Sequence, residues 1–387
     1  MALATAVIFG LGVVVGKGTL TVRLGSSNPL FVNRGSGLDY SSVDAIYNLL
    51  RQNYDGEITK EQALEGIKEG LAAATGDEYT EYLTREESKQ FSEQLNGSFE
   101  GIGAELGKED DTIIIVAPLS GFPAERAGLR PRDAVLSIDG KNARGISISQ
   151  AVKLIRGPKG TAVKLMISRS GAEPFELTVT RAAINVPSVT HSVEGGTGYL
   201  KISHFGTDTV ALAYQAVADF QRQKVGGIVL DLRSNPGGYL EGAVDISSLW
   251  LTKDQKVVEE KNGSKTRKTH YANGRQAPLA KLPTVVLINE GSASASEIVA
   301  GALKDNKVAT LVGGTTFGKG SVQQVEPLLD GSSLKVTIAR WYTPAGRNID
   351  KEGIEPDIEI TPSEADLVAQ KDVQKDKALE LLRQKIQ

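Results

Sequence analysis

Five strand-forming residues, Thr284-Val-Val-Leu-Ile288, run into the bend Asn289-Glu-Gly-Ser-Ala-Ser-Ala-Ser296. An alanine-rich segment follows, with Ile298, Val299 and Leu303 at helical spacing. The same texture fills the surrounding chain. Gly198–Ile202, Gly227–Leu232 and Thr310–Val312 read as strands, and Thr209–Lys224, Gly237–Leu249 and Ala295–Asp305 read as helices. That alternation predicts an α/β core. Asp330-Gly331 predicts a hairpin between Val322–Leu328 and Leu334–Tyr342, and the polar stretch Lys253–Pro283 reads as a surface hairpin and loop.

The serine bend has two readings. Ser294-Ala-Ser-Glu297 fits the capping-box pattern, which makes it an ordinary helix start. A bend between strand and helix also sets a hydroxyl beside free backbone N–H groups at the positive end of a helix, a good place for a nucleophile. From this stretch alone the cap is the commoner reading.

Two further loops bear on the choice. Asp231-Leu-Arg-Ser-Asn-Pro-Gly-Gly238 ends an apolar run, and its glycine pair lets backbone N–H groups approach a ligand closely, as an oxyanion hole requires. Gly313-Gly-Thr-Thr-Phe-Gly-Lys-Gly-Ser321 matches most of a phosphate-binding loop. Gly320, however, stands where that loop needs Ser or Thr, and the following run reads as a strand. A lysine between glycines fits better as a side chain delivered into a pocket, for which Phe317 and Val322 are expected lining. The chain has no cysteine and three histidines, His191, His204 and His270, and no G-x-S-x-G elbow surrounds Ser294. Lysine is the other known base for serine, provided that burial lowers its pKa from about 10.4 to roughly 7–8. Gln323 lies on the same face as Lys319 and can aim it. The 44 basic and 47 acidic residues nearly cancel, so charge does not favour nucleic acid as a partner.

Upstream of the core, Phe99–Ala183 breaks into short strand-like runs and two helical pieces, one small domain. Phe99-Glu-Gly-Ile-Gly-Ala104, Gly121-Phe-Pro-Ala124, Ala127-Gly-Leu129 and Asp133-Ala-Val-Leu-Ser-Ile-Asp-Gly140 resemble a bacterial PDZ domain. The resemblance implies capture of a peptide C-terminus, with Gly101-Ile102-Gly103 as the carboxylate loop. Arg132 departs from that pattern, standing where Gly is usual. Arg156 closes the second helix, either as a solvated helix-end charge or as a contact to the neighbouring domain.

Taken together, the PDZ segment, Asp231–Gly238, Gly291–Glu297, Thr316–Gln323 and Gly353-Ile-Glu-Pro-Asp357 resemble the carboxyl-terminal processing (tail-specific) serine proteases. By position, the resemblance makes Ser294 the nucleophile, Lys319 the general base and Gln323 its orienting partner. Backbone N–H groups of Gly237, Gly238 and Ala295 would form the oxyanion hole. It implies no metal and no cofactor. Glu78, in Gly76-Asp-Glu-Tyr-Thr-Glu-Tyr-Leu83, stands where the family commonly has Pro.

The expected fold is an α+β multidomain protein. Residues 1–38 form an N-terminal anchor or signal remnant with a linker, and 39–95 a helical module. Residues 96–183 form the PDZ domain, 184–362 a crotonase-like α/β protease core and 363–387 a helical tail that docks on the N-terminal module or a partner. Uncharged, apolar Met1–Gly16 is short against the ~20 residues of a membrane span. A buried N-terminal strand or helix is the alternative; read as an anchor remnant, the stretch places the rest outside the cytoplasm. The terminal helices and the resemblance favour a homodimer. Two other functions remain open: a catalytically silent PDZ adaptor, and a crotonase-like acyl-CoA enzyme.

Overall fold

A computed structural model describes residues 19–22, 30–33, 39–170, 172–274, 276–369 and 371–386. The chain divides into two compact units, Met1–Leu71 and Ala72–Gln387. In the first, Thr19–Val22 pairs antiparallel with Leu30–Asn33, and the helix Ser41–Asn53 follows. The expected linker therefore contains a strand: Leu30-Phe-Val is β-prone and finds a partner in Thr19–Val22. The helix Ser41–Asn53 buries no residue, and Ile46 and Leu49 are exposed. The apolar Met1–Gly16 lies outside the described residues. No helix among the described residues is long and apolar enough to cross a membrane.

In the second unit the six-stranded sheet runs in the order Val189–Glu194, Thr197–Ile202, Gly227–Asp231, Thr284–Ile288, Thr310–Gly313, Ile358–Glu359. All but the first pairing are parallel. Every residue of Gly227–Asp231 and Thr284–Ile288 is buried, which explains their unbroken apolar character. One face carries Leu230, Val286 and Ile288 against the helices Thr209–Gln223, Leu240–Ser247 and Ala295–Asp305. The other carries Val229, Val285, Leu287 and Val312.

That second face corrects the expectation for the tail. The helix Val373–Ile386 packs Ala378 and Leu382 directly on it. Arg233 fixes its start, donating to Asp372 Oδ1 and Oδ2 at 2.7 and 2.9 Å and to Gln374 Oε1 at 3.1 Å. Four apolar side chains on a buried sheet need cover, and this tail supplies it.

A five-stranded antiparallel sheet lies beside the core: Lys265–Tyr271, Lys256–Asn262, Ser333–Tyr342 and Ser321–Pro327 in order, with Glu81–Leu83 added to Ser333–Tyr342. The strand Glu81–Leu83 corrects the all-helical reading of 39–95. Tyr82 and Leu83 are buried, so the chain from Ala72 onward belongs to the larger unit.

The PDZ segment forms a six-stranded sheet built on Ala104–Glu109, Thr112–Pro118, Ala134–Ile138, Ala162–Ser168 and Phe175–Thr180, with the helix Ile148–Ile155 packed on it. Its entry and exit, Ser98–Gly101 and Ala182–Asn185, pair with each other. Arg132 takes φ +68°, so the turn keeps the left-handed conformation that suits glycine. Its exposed 3.5 Å contact with Glu109 adds little in return. Arg132→Gly is therefore expected to stabilise the domain by about 0.5–1 kcal/mol, read from the denaturant midpoint at unchanged slope.

Candidate active site

The bend after Thr284–Ile288 is shaped by side chains bonding to backbone. Asn289 Oδ1 accepts N–H bonds from Ser234 at 2.7 Å and Gly291 at 3.1 Å. Ser292 Oγ donates to Leu232 O at 2.8 Å, and Ser296 Oγ donates to Asn235 O at 2.9 Å. Both of these serines are fully buried. They hold the bend against the Asp231–Gly238 loop, and their hydroxyls have no freedom to react. Ser294 lies between them, half-buried, with φ +54° and ψ −113° immediately before the helix Ala295–Asp305. A non-glycine residue in that region is strained and is held there by its surroundings.

The facing loop is fixed by buried Asn235. Its Nδ2 donates to Ile202 O at 2.8 Å, and its backbone carbonyl accepts from Ala293 N–H at 2.9 Å. Gly237 packs so tightly that an added Cβ would stand 2.7 Å from Ser294 Cβ. One expectation is altered here. Gly237 N–H donates to Asn235 Oδ1 at 2.9 Å, so it points into the loop rather than at a ligand. Gly238 N–H and Ala295 N–H take no acceptor among the described residues.

The lysine loop is tied to the serine bend by one group. Glu297 is fully buried in the first turn of the serine helix. Its Oε2 accepts Ser294 N–H at 2.8 Å and Lys319 N–H at 3.0 Å, while Oε1 accepts Thr316 Oγ1–H and Gly318 N–H at 2.6 Å each. Burial pushes its carboxyl above the ordinary range, and these four donors pull it back toward the charged form. Thr316 Oγ1 also accepts Ile354 N–H at 2.7 Å, which brings in the Gly353–Asp357 motif. At Gly320 a Cβ would stand 2.2 Å from Asp350 N, so only glycine fits this approach.

Lys319 is half-buried and lines the same cavity as Ser294. Burial first, and then the charge of Lys335, hold its amine below the ordinary lysine range, against the opposing pull of Glu297 and Glu81. Its Nζ lies 5.4 Å from the centre of the Tyr79 ring, and no hydrogen bond joins it to Ser294 Oγ. Gln323 likewise does not reach it: Nε2 donates to Ser321 Oγ at 2.6 Å and Thr337 Oγ1 at 3.4 Å. Val322 is buried in the cavity wall as expected. Phe317 is not, since it is 59% exposed, its N–H held by Ser292 O.

The cavity encloses about 860 Å³ between the serine helix, the Pro236–Glu241 segment, the helix Arg85–Leu95 and one face of the five-stranded sheet. His204 lines it too. Its Nδ1 lies 3.1 Å from Ser203 Oγ and its Nε2 is buried without a partner, while burial lowers its pKa. It makes no bond to Ser294. In the PDZ segment, Gly101, Ile102 and Gly103 line a cavity of about 80 Å³ together with Leu106, Val152 and Ile155. The N–H groups of Ile102 and Gly103 take no acceptor among the described residues. Arg156 closes one side, its guanidinium 4.6 Å from the Phe99 ring centre.

Sequence reading did not find Glu297 as a bridge, Asn235 as the anchor of its loop, or Tyr79 beside the lysine. Glu297 was visible only as the end of a capping-box pattern, and Tyr79 only as a letter in Gly76–Leu83.

One cavity thus brings together a strained serine at a helix start, two N–H groups with no acceptor among the described residues and a partly buried lysine, the groups that serine-type acyl transfer would require. A PDZ domain precedes it in the chain. The Peptidase family S41 model matches residues 196–360, and the PDZ domain model matches 114–169. The carboxy-terminal processing protease CtpB of Bacillus subtilis is 41% identical over 325 residues, 82% of this chain and 67% of that protein. CtpA of the same organism is 37% identical over 82% of this chain and 68% of its own length. Among solved structures, the photosystem II D1 C-terminal processing protease superposes with a TM-score of 0.53 at 30% identity, covering 84% of this chain and 88% of that one. The chain belongs to the carboxy-terminal processing serine proteases of family S41. Its PDZ domain marks it as a binder of peptide C-termini. The adaptor and acyl-CoA readings find no support in these matches.

Proposed function

We propose that this protein is an endopeptidase that engages substrate proteins by their C-terminal tails and cleaves them by acyl transfer on a Ser294–Lys319 dyad. The observation that carries this reading is the sorting of the three serines. Ser292 and Ser296 are buried and bonded to backbone, whereas Ser294 alone opens on the cavity that also holds Lys319. Neutral Lys319 takes the Ser294 proton as Oγ attacks the scissile carbonyl. Gly238 and Ala295 N–H stabilise the oxyanion, and the lysine ammonium then protonates the leaving amine. Water, deprotonated by the same lysine, then attacks the acyl carbonyl, and the lysine ammonium returns the proton to Ser294 Oγ as the ester bond breaks. For the first step Lys319 Nζ must leave the Tyr79 ring and reach Ser294 Oγ, with Gln323 turning from Ser321 to hold it. Gly237 serves by leaving room beside Ser294.

The core is read as crotonase-like, from its parallel sheet with helices and oxyanion donors at one end. Attachment through the N-terminus, an extracytoplasmic location and a homodimer complete the proposal. They rest on apolar Met1–Gly16 and on the exposed face of Ser41–Asn53.

A fluorophosphonate probe followed by peptide mapping tests the nucleophile. Label is expected on Ser294 only, and label elsewhere overturns the assignment. A substrate with an amidated C-terminus is expected to be cut at least about tenfold more slowly, because the amide lacks the charge that the Ile102 and Gly103 N–H groups would bind. Equal rates would remove the PDZ loop from substrate capture.

A further inference from the structure

We propose that Tyr79 is a positioning residue for Lys319: its ring holds the ammonium form and so sets the pH at which the base becomes available. This inference rests on the dyad reading above. The geometry is specific. Nζ sits 5.4 Å from the ring centre, within cation–π range. It has neither a hydrogen bond to Ser294 nor one to Gln323, and the Tyr79 ring faces it beside the charges of Glu297 and Glu81.

The loop that carries Tyr79 is anchored by its neighbours. Tyr79 lies between Asp77 and Thr80, and Asp77 Oδ2 accepts hydrogen bonds from Thr80 Oγ1 and Thr337 Oγ1 at 2.6 Å each. Thr80 Oγ1 in turn accepts Thr337 N–H at 3.1 Å. Thr337 Oγ1 is also within 3.4 Å of Gln323 Nε2. One short loop thus faces the base through Tyr79 and is linked through Thr337 to the residue expected to aim it. The charged groups around the amine are Lys335 from Ser333–Tyr342, Glu297 from the serine helix and Glu81 from Glu81–Leu83. The Tyr79 hydroxyl is influenced by Glu78, which also hydrogen-bonds it, and by the charges of Asp350 and Arg340.

An aromatic face stabilises the cation and not the neutral amine. It therefore opposes deprotonation, and losing it frees the base at lower pH. The experiment is the pH profile of kcat/KM for the wild type, Tyr79→Phe, Tyr79→Leu and Tyr79→Trp. Phe keeps the ring and is expected to keep the wild-type acid limb. Leu is expected to shift the limb downward, so that at a fixed pH on it activity rises about threefold, and Trp, the strongest aromatic partner, to shift it upward. Superimposable limbs for Leu, Phe and Trp overturn the proposal. Should Leu not fold, the opposed Phe and Trp profiles still decide it. Titration of ¹⁵N-labelled Lys319 in Ser294→Ala protein, with and without Tyr79→Leu, reads the same effect without catalysis. A shift there beside full activity of Lys319→Ala would retain the contact and discard the dyad.

Discussion

Lys319→Ala is expected to lose at least about a thousandfold in turnover while its melting temperature stays within a few degrees of wild type. The loss follows from the role. A serine hydroxyl at neutral pH is a poor nucleophile, and removing its activating partner costs three to six orders of magnitude in serine hydrolases. The unchanged stability follows from the surroundings. Lys319 Nζ makes no hydrogen bond among the described residues, and burial disfavours its charge, so truncation leaves no partner stranded. Ser294→Ala should lose as much, and the double variant no more than either single one, because the two act as a unit. His204→Gln should retain activity. The pH dependence has a definite sign. In the proposed dyad Lys319 works deprotonated, so kcat/KM is expected to rise with pH through its pKa, which burial holds below the ordinary lysine range. A steady-state profile on a C-terminally extended peptide measures all of these. Full turnover by Lys319→Ala would end the dyad assignment, and a limb at the ordinary lysine position would remove burial as its cause.

What the residues revealed in advance was whatever leaves a local signature. Thr284–Ile288 is apolar because both of its faces are covered, and Asp330-Gly331 fits only a tight turn, so both were legible. Ser294 was legible as one of three serines; that the other two are buried and bonded to backbone while it opens on the cavity was not. Contacts between distant segments leave no such mark. Nothing in Glu81-Tyr-Leu83 announces that it pairs with Ser333–Lys335, and three residues are too few for a period. The tail helix carries a sparse stripe, because Ala378 is small and Leu382 does most of the covering. Gly237 was assigned as an oxyanion donor from its type and place, but the direction of an N–H depends on whether a neighbour such as Asn235 claims it. Lys319 and Gln323 show a further limit. Residues can share a face and still bond elsewhere, and here Gln323 spends its amide on Ser321 and Thr337.

Glu297→Ala is the second large effect, and it differs in kind because it strikes activity and stability together. Two oxygens accept four donors, so truncation leaves Ser294 N–H, Lys319 N–H, Gly318 N–H and the Thr316 hydroxyl unpaired in a buried place. Stranded buried polar groups cost about 1–3 kcal/mol each where they cannot rearrange, so a loss of about 3–5 kcal/mol is expected even with partial relaxation. Activity should fall by at least about a hundredfold, since the bends carrying the proposed nucleophile and base would no longer be held in register. Glu297→Gln separates the two effects. Its carbonyl oxygen can keep two of the donors, but its NH2 faces N–H groups that it cannot accept. It should therefore fold with an intermediate melting temperature and still lose most of its turnover. The pH response has its own sign. Burial holds the Glu297 carboxyl above its unfolded value, so its contribution to stability is fully present below the unfolded pKa and is lost as pH rises through the folded one. Glu297→Gln removes that titration, and the stability gap between it and wild type should narrow as pH rises across this window. Chemical denaturation at several pH values measures the gap. A gap independent of pH, or a glutamine variant with wild-type turnover, would reduce Glu297 to an ordinary helix-start residue.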